Sequence, residues 1–324
     1  MNTKTYATSP ALLALDWGTS SLRAYLMDAR GTILDQRRAS HGIQHLPTAP
    51  SRNEGFALAL DTIAGDWLRE WPMLPAVASG MVGSAQGWRE APYVSCPAGL
   101  DAIARHAVPV TANGRTLHIA PGVLSDSADA PPDVMRGEEI QVFGALALEP
   151  ALADAACIVL PGTHSKWVGI QAAHIVGFAS YMTGELYAVL RAHSTLGLMM
   201  DDSQAPEGSG FQRGVRAATT GTAGDLLHQL FAARTLGLTA RLPRHELADY
   251  LSGLLIGHEL VSGLARNAAL LASGAPFVLV GEPALCRRYQ LALELLGGPT
   301  PRLIDSTAPA GLHAFSRAAG LLAD

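Results

Sequence analysis

Twice along this chain, about 145 residues apart, an apolar strand pattern runs into a turn of Gly, Thr and Ser and returns at once as a second strand. The first copy is LDWGTSSLRAYL, from Leu15 to Leu26, and the second is LPGTHSKWVGI, from Leu160 to Ile170. Each opens a run of three short strands. In the first run they cover 11–16, 21–28 and 32–38, with Arg30-Gly31 as a tight turn; in the second they are CIVLPG, KWVGIQ and HIVGFAS. Short strands joined by small-residue turns predict antiparallel meanders. At 324 residues, with 48% hydrophobic side chains, the chain can bury a core around each. Pro150 ends a helical stretch and sets the expected boundary, with an N-terminal lobe over 1–150 and a second lobe from 151.

The rest of the chain is organised around these meanders. Over 54–71, Phe56, Leu60, Ile63, Trp67 and Leu68 share one helical face. Residues 76–79 form a short apolar strand that runs into the Gly-rich segment SGMVGSAQGW. Pro, Asp and Ser dominate 121–137 and predict a loop, after which 138–149 is helical. Beyond the second meander the expected elements are helices at 184–191, 223–236 and 244–273, a strand at 277–280, and helices at 284–296 and 309–322. The first ten residues look like a frayed start.

Charge and cysteine content remove whole classes of function. Lys+Arg 23 against Asp+Glu 28 gives a net charge of −5, which offers no basic footprint for nucleic acid. No stretch of ~18 apolar residues is free of charge or proline, so no membrane span is expected. Cys96, Cys157 and Cys286 are too few and too far apart for a disulfide framework or a zinc site, and the 11 histidines show no HxH or HExxH spacing. The apolar run Ala11 to Leu15 ends at Asp16, too short for a secretory leader, so a cytoplasmic protein is expected.

Four segments carry chemistry. In the first meander, a strand delivers Asp16 to a turn in which Gly18, Thr19 and Ser20 offer backbone N–H and hydroxyl donors. Small residues let backbone approach an anion, so such a turn can cradle phosphate oxygens, and a carboxylate at the strand end can hold magnesium through water. In the second, Gly162, Thr163 and Ser165 repeat the turn and Lys166 adds a positive charge. Taken singly, each is equally well an ordinary hairpin; as a pair they fit a two-lobed phosphotransferase with nucleotide in the cleft. The third segment, VLVGEPAL, runs from a strand through Gly281, Glu282, Pro283 and Ala284 into a helix, where a turn could pass beneath an adenosine. The fourth, DVMRGEEIQVFGAL, ends a loop at Gly137 and opens a helix with Glu138 and Glu139, which act either as dipole-favoured first-turn acids or as a general base. Arg136 beside them can pair an anionic group, with Arg23 and Arg89 as further candidates, and Gln86, Trp88 and Arg89 lie in a loop that could face a substrate.

The order of these segments resembles the sugar kinases of the actin/Hsp70/hexokinase superfamily. SGMVGSAQGWREAPY, PDVMRGEEIQVFGAL, LPGTHSKWVGI, MTGELYAVLRAHS and YLSGLLIGHE together resemble the 2-dehydro-3-deoxygalactonokinase family, nearly end to end. The resemblance implies two α/β lobes of the ribonuclease-H-like, actin type with a cleft between them. It places the last helix, 306–324, in the N-terminal lobe and leaves 151–305 as the other. It also implies ATP and Mg2+ as cofactors, and phosphorylation of 2-dehydro-3-deoxy-D-galactonate on its 6-hydroxyl in galactonate breakdown. Small molecules are then the partners, with a homodimer as the assembly to test. In the wider superfamily the catalytic helix begins Gly-Asp, whereas here it begins Gly-Glu, so Glu138, Glu139 and Asp16 all stand as the base. Two other readings share the fold: an exopolyphosphatase-like phosphohydrolase, and a non-catalytic sugar-sensing ATPase switch.

Overall fold

The computed structural model describes residues 6–128, 130–201, 209–220, 222 and 224–322. The chain folds as β1 (Pro10–Trp17), β2 (Leu22–Asp28), β3 (Ile33–Ala39), α1 (Arg52–Glu70), β4 (Ala76–Ser79), β5 (Tyr93–Ser95), β6 (Ala98–Gly99), α2 (Leu100–Arg105), β7 (Val108–Ala112), β8 (Arg115–Ile119), β9 (Gly122–Ser125), β10 (Asp133–Met135) and α3 (Glu138–Leu148). It continues as β11 (Ala155–Leu160), β12 (Ser165–Gln171), β13 (His174–Tyr181), α4 (Thr183–His193), α5 (Ser209–Ala217), α6 (Leu226–Leu238), α7 (Leu247–Arg266), α8 (Ala268–Ala272), β14 (Phe277–Val280), α9 (Pro283–Leu296), β15 (Arg302–Ile304) and α10 (Ala308–Ala318).

Two compact units result. Unit 1 takes the described residues up to Asp154, then Ile170–Gly177, then those from Ser306 on; unit 2 takes Ala155–Gly169 and the described residues of Phe178–Asp305. The return of 170–177 to unit 1 differs from the single boundary expected near 150. Within unit 1, His174 and Ile175 of β13 pair with Gly99 and Ala98 of β6, an attachment that two residues of β6 do not announce in sequence.

The main sheet of unit 1 has the order β3-β2-β1-β4-β8-β7. The meander β1–β2–β3 is antiparallel, while β4 and β8 join parallel to β1 and to each other. Leu12 to Leu15 are fully buried, as a central strand covered on both faces requires. α1 begins at a capping box, Ser51 with Glu54, which satisfies two backbone N–H groups at the helix start. Its Phe56, Leu60, Ile63 and Trp67 join β1 and β2 in one core. The strands of unit 2 follow the order β15-β14-β11-β12-β13, with β14 parallel to both β11 and β15. Counted from each meander, both sheets run third, second, first, fourth; β15 follows as the fifth strand in unit 2, the ribonuclease-H-like arrangement, while in unit 1 that place is taken by β8, with β7 hairpinned outside it.

Several expected boundaries move. Residues 121–137, read as a loop, contain β9 and β10, which join β5 in a three-stranded sheet. Strands of three or four residues carry too little alternation to outweigh the Pro and Asp around them. The stretch 244–273 is a 3-10 turn and two helices, broken at Asn267, whose amide and backbone N–H both donate to Gly263 O. The helix expected over 223–236 is observed at 226–238, with residue 223 outside the described residues; residues 1–5 and 323–324 lie outside them too.

α10 packs on α3 with no room for a methyl group at the crossing. A Cβ on Gly311 would lie 1.8 Å from Ile140 O, and one on Gly144 would lie 1.9 Å from Thr307 O. Gly311→Ala is therefore expected to cost roughly 1–3 kcal/mol through overpacking, or more if the helices cannot separate. A thermal melt reads this directly, and an unchanged midpoint would show that the crossing yields.

Candidate functional site

The two Gly-Thr turns are built from the same local pattern but are held by different means. In unit 1, Gly18 N–H donates to Ser21 O at 2.9 Å and closes the turn between β1 and β2. Backbone from the segment after β3 clamps it: Ile43 N–H donates to Gly18 O and Gln44 N–H to Thr19 O, both at 3.1 Å. Only glycine fits at position 42, where a Cβ would lie 2.3 Å from Thr19 O. In unit 2, Gly162 N–H donates to Ser165 Oγ at 3.4 Å, and Glu185 N–H, from the first turn of α4, donates to Thr163 O at 3.0 Å. Gly184 lets that helix approach, since a Cβ there would be 2.4 Å from Gly162 O.

Gly18 and Gly162 themselves are different from these packing glycines. Neither has a positive φ. A Cβ on Gly18 would meet only Ser21 O at 3.6 Å, and one on Gly162 would meet no atom within 4 Å. Neither backbone strain nor protein packing demands glycine at these places. The open space above each is what an anion-cradling turn needs.

In unit 1 the backbone that carries Glu138 comes close to the end of the strand that carries Asp16. Asp16 lies opposite Ser79 in the parallel β1–β4 pair and opposite Arg23 in the antiparallel β1–β2 pair. After Ser79 the chain turns at Gly80, φ +94°, where a Cβ would lie 2.8 Å from Trp17 O. Gly137, φ +107°, reaches within the same space, since its Cβ would be 3.0 Å from Gly80 Cα. The start of α3 is thus brought to the end of β1. Asp16 is three-quarters buried and ion-paired to Arg23 at 3.2 Å; burial raises its pKa, with Arg23 opposing. Glu138 is half-buried at the helix start, and its Oε2 accepts from Arg136 N–H at 3.0 Å.

Other residues singled out in the sequence have different surroundings from those expected. Glu139 is fully buried and accepts from Gly137 N–H at 2.6 Å, and burial pushes its pKa up to about 8, which sets it apart from the half-buried Glu138. Arg136 donates to Ala91 O at 2.8 Å and lies over the Tyr93 ring, with Nε and Nη1 buried. Among the described residues Nε and Nη1 have no hydrogen-bond partner, so only part of the guanidinium is engaged by the loop. Arg23 is engaged by Asp16. Trp88 is a core residue, stacked on Phe56 and edge-on to Trp17. Gln86 and Arg89 are exposed, and Gln86 O accepts from Arg52 at 2.6 Å. In unit 2, Ser165 is buried with its hydroxyl 3.0 Å from Tyr289 OH, and Lys166 is buried with Nζ donating to Ser180 Oγ at 2.6 Å. β12 is covered on both faces, so residues that look like turn donors in sequence point into the core. Thr163 and His164 are the exposed residues of that turn, and His164 contacts Glu185. Gly281 takes φ +145°, and Glu282 caps α9 by accepting from Leu285 N–H at 2.8 Å; backbone N–H groups of Ala284 and Leu285 hold its carboxyl low. Pro283 opens that helix.

A family model for 2-keto-3-deoxy-galactonokinase matches residues 16–315. The chain belongs to the 2-keto-3-deoxy-galactonokinase family. It is 36% identical over 306 residues to the 2-dehydro-3-deoxygalactonokinase of Escherichia coli (strain K12), a match covering 94% of each chain. A crystal structure from Sinorhizobium meliloti assigned to the 2-dehydro-3-deoxygalactonokinases is 33% identical and superposes with a TM-score of 0.82, covering 95% of this chain and 98% of the other. The two α/β units thus have the fold of this kinase family, and the chain is an enzyme of the kinase class.

In this member of the 2-keto-3-deoxy-galactonokinase family, sequence reasoning passed over a buried acid next to the second turn. Glu259, on α7, lies beneath the second turn and accepts from Trp167 Nε1 at 2.9 Å, from Tyr289 OH at 2.6 Å, and from Thr183 Oγ1. An acid inside the apolar pattern of YLSGLLIGHE was the available signal. Among the described residues no cluster of three or more His, Cys, Asp or Glu could hold a metal. A single carboxylate, Asp16, fits magnesium, which keeps most of its ligands as water and substrate phosphate.

Proposed function

We propose that this chain transfers the γ-phosphoryl group of ATP to the 6-hydroxyl of 2-dehydro-3-deoxy-D-galactonate. The observation that carries the reading is the pair of turns at Gly18 and Gly162, glycines with open space above them and no structural demand for glycine. Family membership supplies the substrate class. Magnesium bound with ATP supplies charge neutralisation on the phosphates, and Asp16 is the residue to hold it, through water. Each turn offers backbone N–H groups to phosphate oxygens. Glu138 accepts the proton of the sugar hydroxyl. Phosphoryl transfer asks mainly for positioning and electrostatic stabilisation, and turns plus two carboxylates provide both. Arg23 is engaged by Asp16, which leaves Arg136, with Nε and Nη1 unpartnered among the described residues, and exposed Arg89 as candidates for the sugar carboxylate. Residues 281–284 remain the candidate adenosine turn. A cytoplasmic enzyme fits the three free thiols, and a homodimer is the assembly to test by light scattering.

An ADP-release assay with magnesium-ATP against 2-dehydro-3-deoxygalactonate, its gluconate epimer and no sugar tests the activity. Turnover restricted to the galacto acid is expected. Preference for the gluco epimer would move the substrate, and equal ADP release without sugar would replace the kinase with a phosphohydrolase or ATPase switch. The turns have their own test. Gly162→Ala is accommodated by the protein, so it should melt like the parent yet raise KM for ATP about tenfold or more, the equivalent of ~1.4 kcal/mol. An unchanged KM would take the phosphate away from this turn.

A further inference from the structure

The second turn rests on a hydrogen-bond chain whose direction is set by one buried carboxylate. Glu259 is 2% exposed and among the described residues has no cationic partner; Trp167 Nε1, Thr183 Oγ1 and Tyr289 OH donate to it, and these groups together with the nearby Ser165 hydroxyl oppose the rise in pKa that burial causes. A carboxylate only accepts. Tyr289 must therefore give its hydrogen to Glu259, at 2.6 Å. Its oxygen is then left to accept from Ser165 Oγ at 3.0 Å, and Ser165 Oγ in turn accepts from Gly162 N–H at 3.4 Å. The order runs Gly162 N–H to Ser165 to Tyr289 to Glu259, from the turn down to the core. Thr183 is tied to the same carboxylate, and its helix start packs on Gly162 through Gly184. Among the described residues nothing of this kind holds the first turn, which the backbone N–H groups of Ile43 and Gln44 clamp.

We propose that Glu259 is a positioning residue for nucleotide binding: it orients the Tyr289–Ser165 hydroxyl chain that shapes the Gly162–Ser165 turn. This rests on the reading that the turn binds ATP phosphates. The fixed polarity of the chain makes the consequence of Glu259→Gln specific. Trp167 can only donate, so the glutamine oxygen must face its indole, and the amide NH2 must face Tyr289 and Thr183. Those hydroxyls then rotate to accept, Tyr289 donates to Ser165, and the buried Ser165 hydroxyl loses its acceptor. Side-chain shape is almost unchanged while the chain beneath the turn reverses.

The test is KM for ATP and KM for the sugar acid, measured in the full-length protein for Glu259→Gln and Tyr289→Phe, alongside calorimetric binding of magnesium-ATP. Both variants are expected to weaken ATP by about tenfold, the scale of one hydrogen bond to a charged group, with KM for the sugar within about twofold of the parent. Tyr289→Phe removes only the relay hydroxyl and serves where Glu259→Gln does not fold. A purely structural role would lower the melting temperature and leave both KM values in place, and that result overturns the proposal. Gly162→Ala separates the two layers. If it weakens ATP while Glu259→Gln and Tyr289→Phe do not, phosphate binds at the turn and the positioning role is wrong. If Gly162→Ala leaves ATP binding intact, the phosphate reading fails and the proposal falls with it.

Discussion

Glu138→Gln is expected to slow turnover by at least ~10²-fold while KM for ATP stays near the parent value, the loss typical of removing a general base. Glutamine is isosteric, and its carbonyl oxygen can still accept from Arg136 N–H, as Glu138 Oε2 does at 3.0 Å. The helix start is therefore retained and the deficit falls on proton transfer. Glu139→Gln is the matched comparison. Glu139 is fully buried and caps Gly137, so its substitution belongs to stability and should leave turnover within a fewfold. If Glu139→Gln were the slow enzyme and Glu138→Gln the normal one, the two carboxylates would exchange roles. Single-turnover measurement with the galacto acid distinguishes slow chemistry from slow product release.

The second large effect concerns Asp16. Asp16→Asn keeps the side chain's size and its place opposite Arg23, but removes the negative charge at the end of β1. We expect kcat/KM to fall by roughly 10²–10³-fold, the range seen when one preorganised electrostatic contact to a reacting group is lost. The magnesium concentration for half-maximal rate should rise as well. That titration is the decisive readout, because a residue that only neutralised Arg23 would leave the metal dependence unmoved. Arg23→Ala provides the reverse case: it frees the carboxylate and should not raise the magnesium requirement.

Both meanders, the capped helix after the first, and the strand at 277–280 were legible in sequence because each repeats a strong local pattern. The ribonuclease-H-like fold was implied by the resemblance and not by any one segment. The three-stranded sheet of β5, β9 and β10 was not legible, because strands of three or four residues embedded in Pro, Asp and Ser leave no periodic trace. The site shows the same division. Gly18, Gly162, Asp16 and Glu138 could be proposed because turn chemistry and helix starts are local. Ser165, Lys166 and Arg136 could not be placed, because whether a polar side chain after a turn faces solvent or core depends on what covers the strand. β12 is covered on both sides, and its Ser and Lys are inside. Glu259 is the converse, an acid 94 residues beyond Ser165 in sequence that only folding brings beneath it.

The placement of α10 sets an order of events during synthesis. Unit 1 owns the first strands to leave the ribosome, yet its α3 lacks its packing partner until Ser306 and the residues after it have been made. Unit 2 lies almost entirely between these two points. Domains fold as units as they emerge, at about 5–20 residues per second, so unit 2 can finish while unit 1 still waits. A nascent chain stalled just before residue 306 should carry a protease-resistant second unit and an open first one. Turnover numbers for such an enzyme are then acquired in a single step, when the last helix docks.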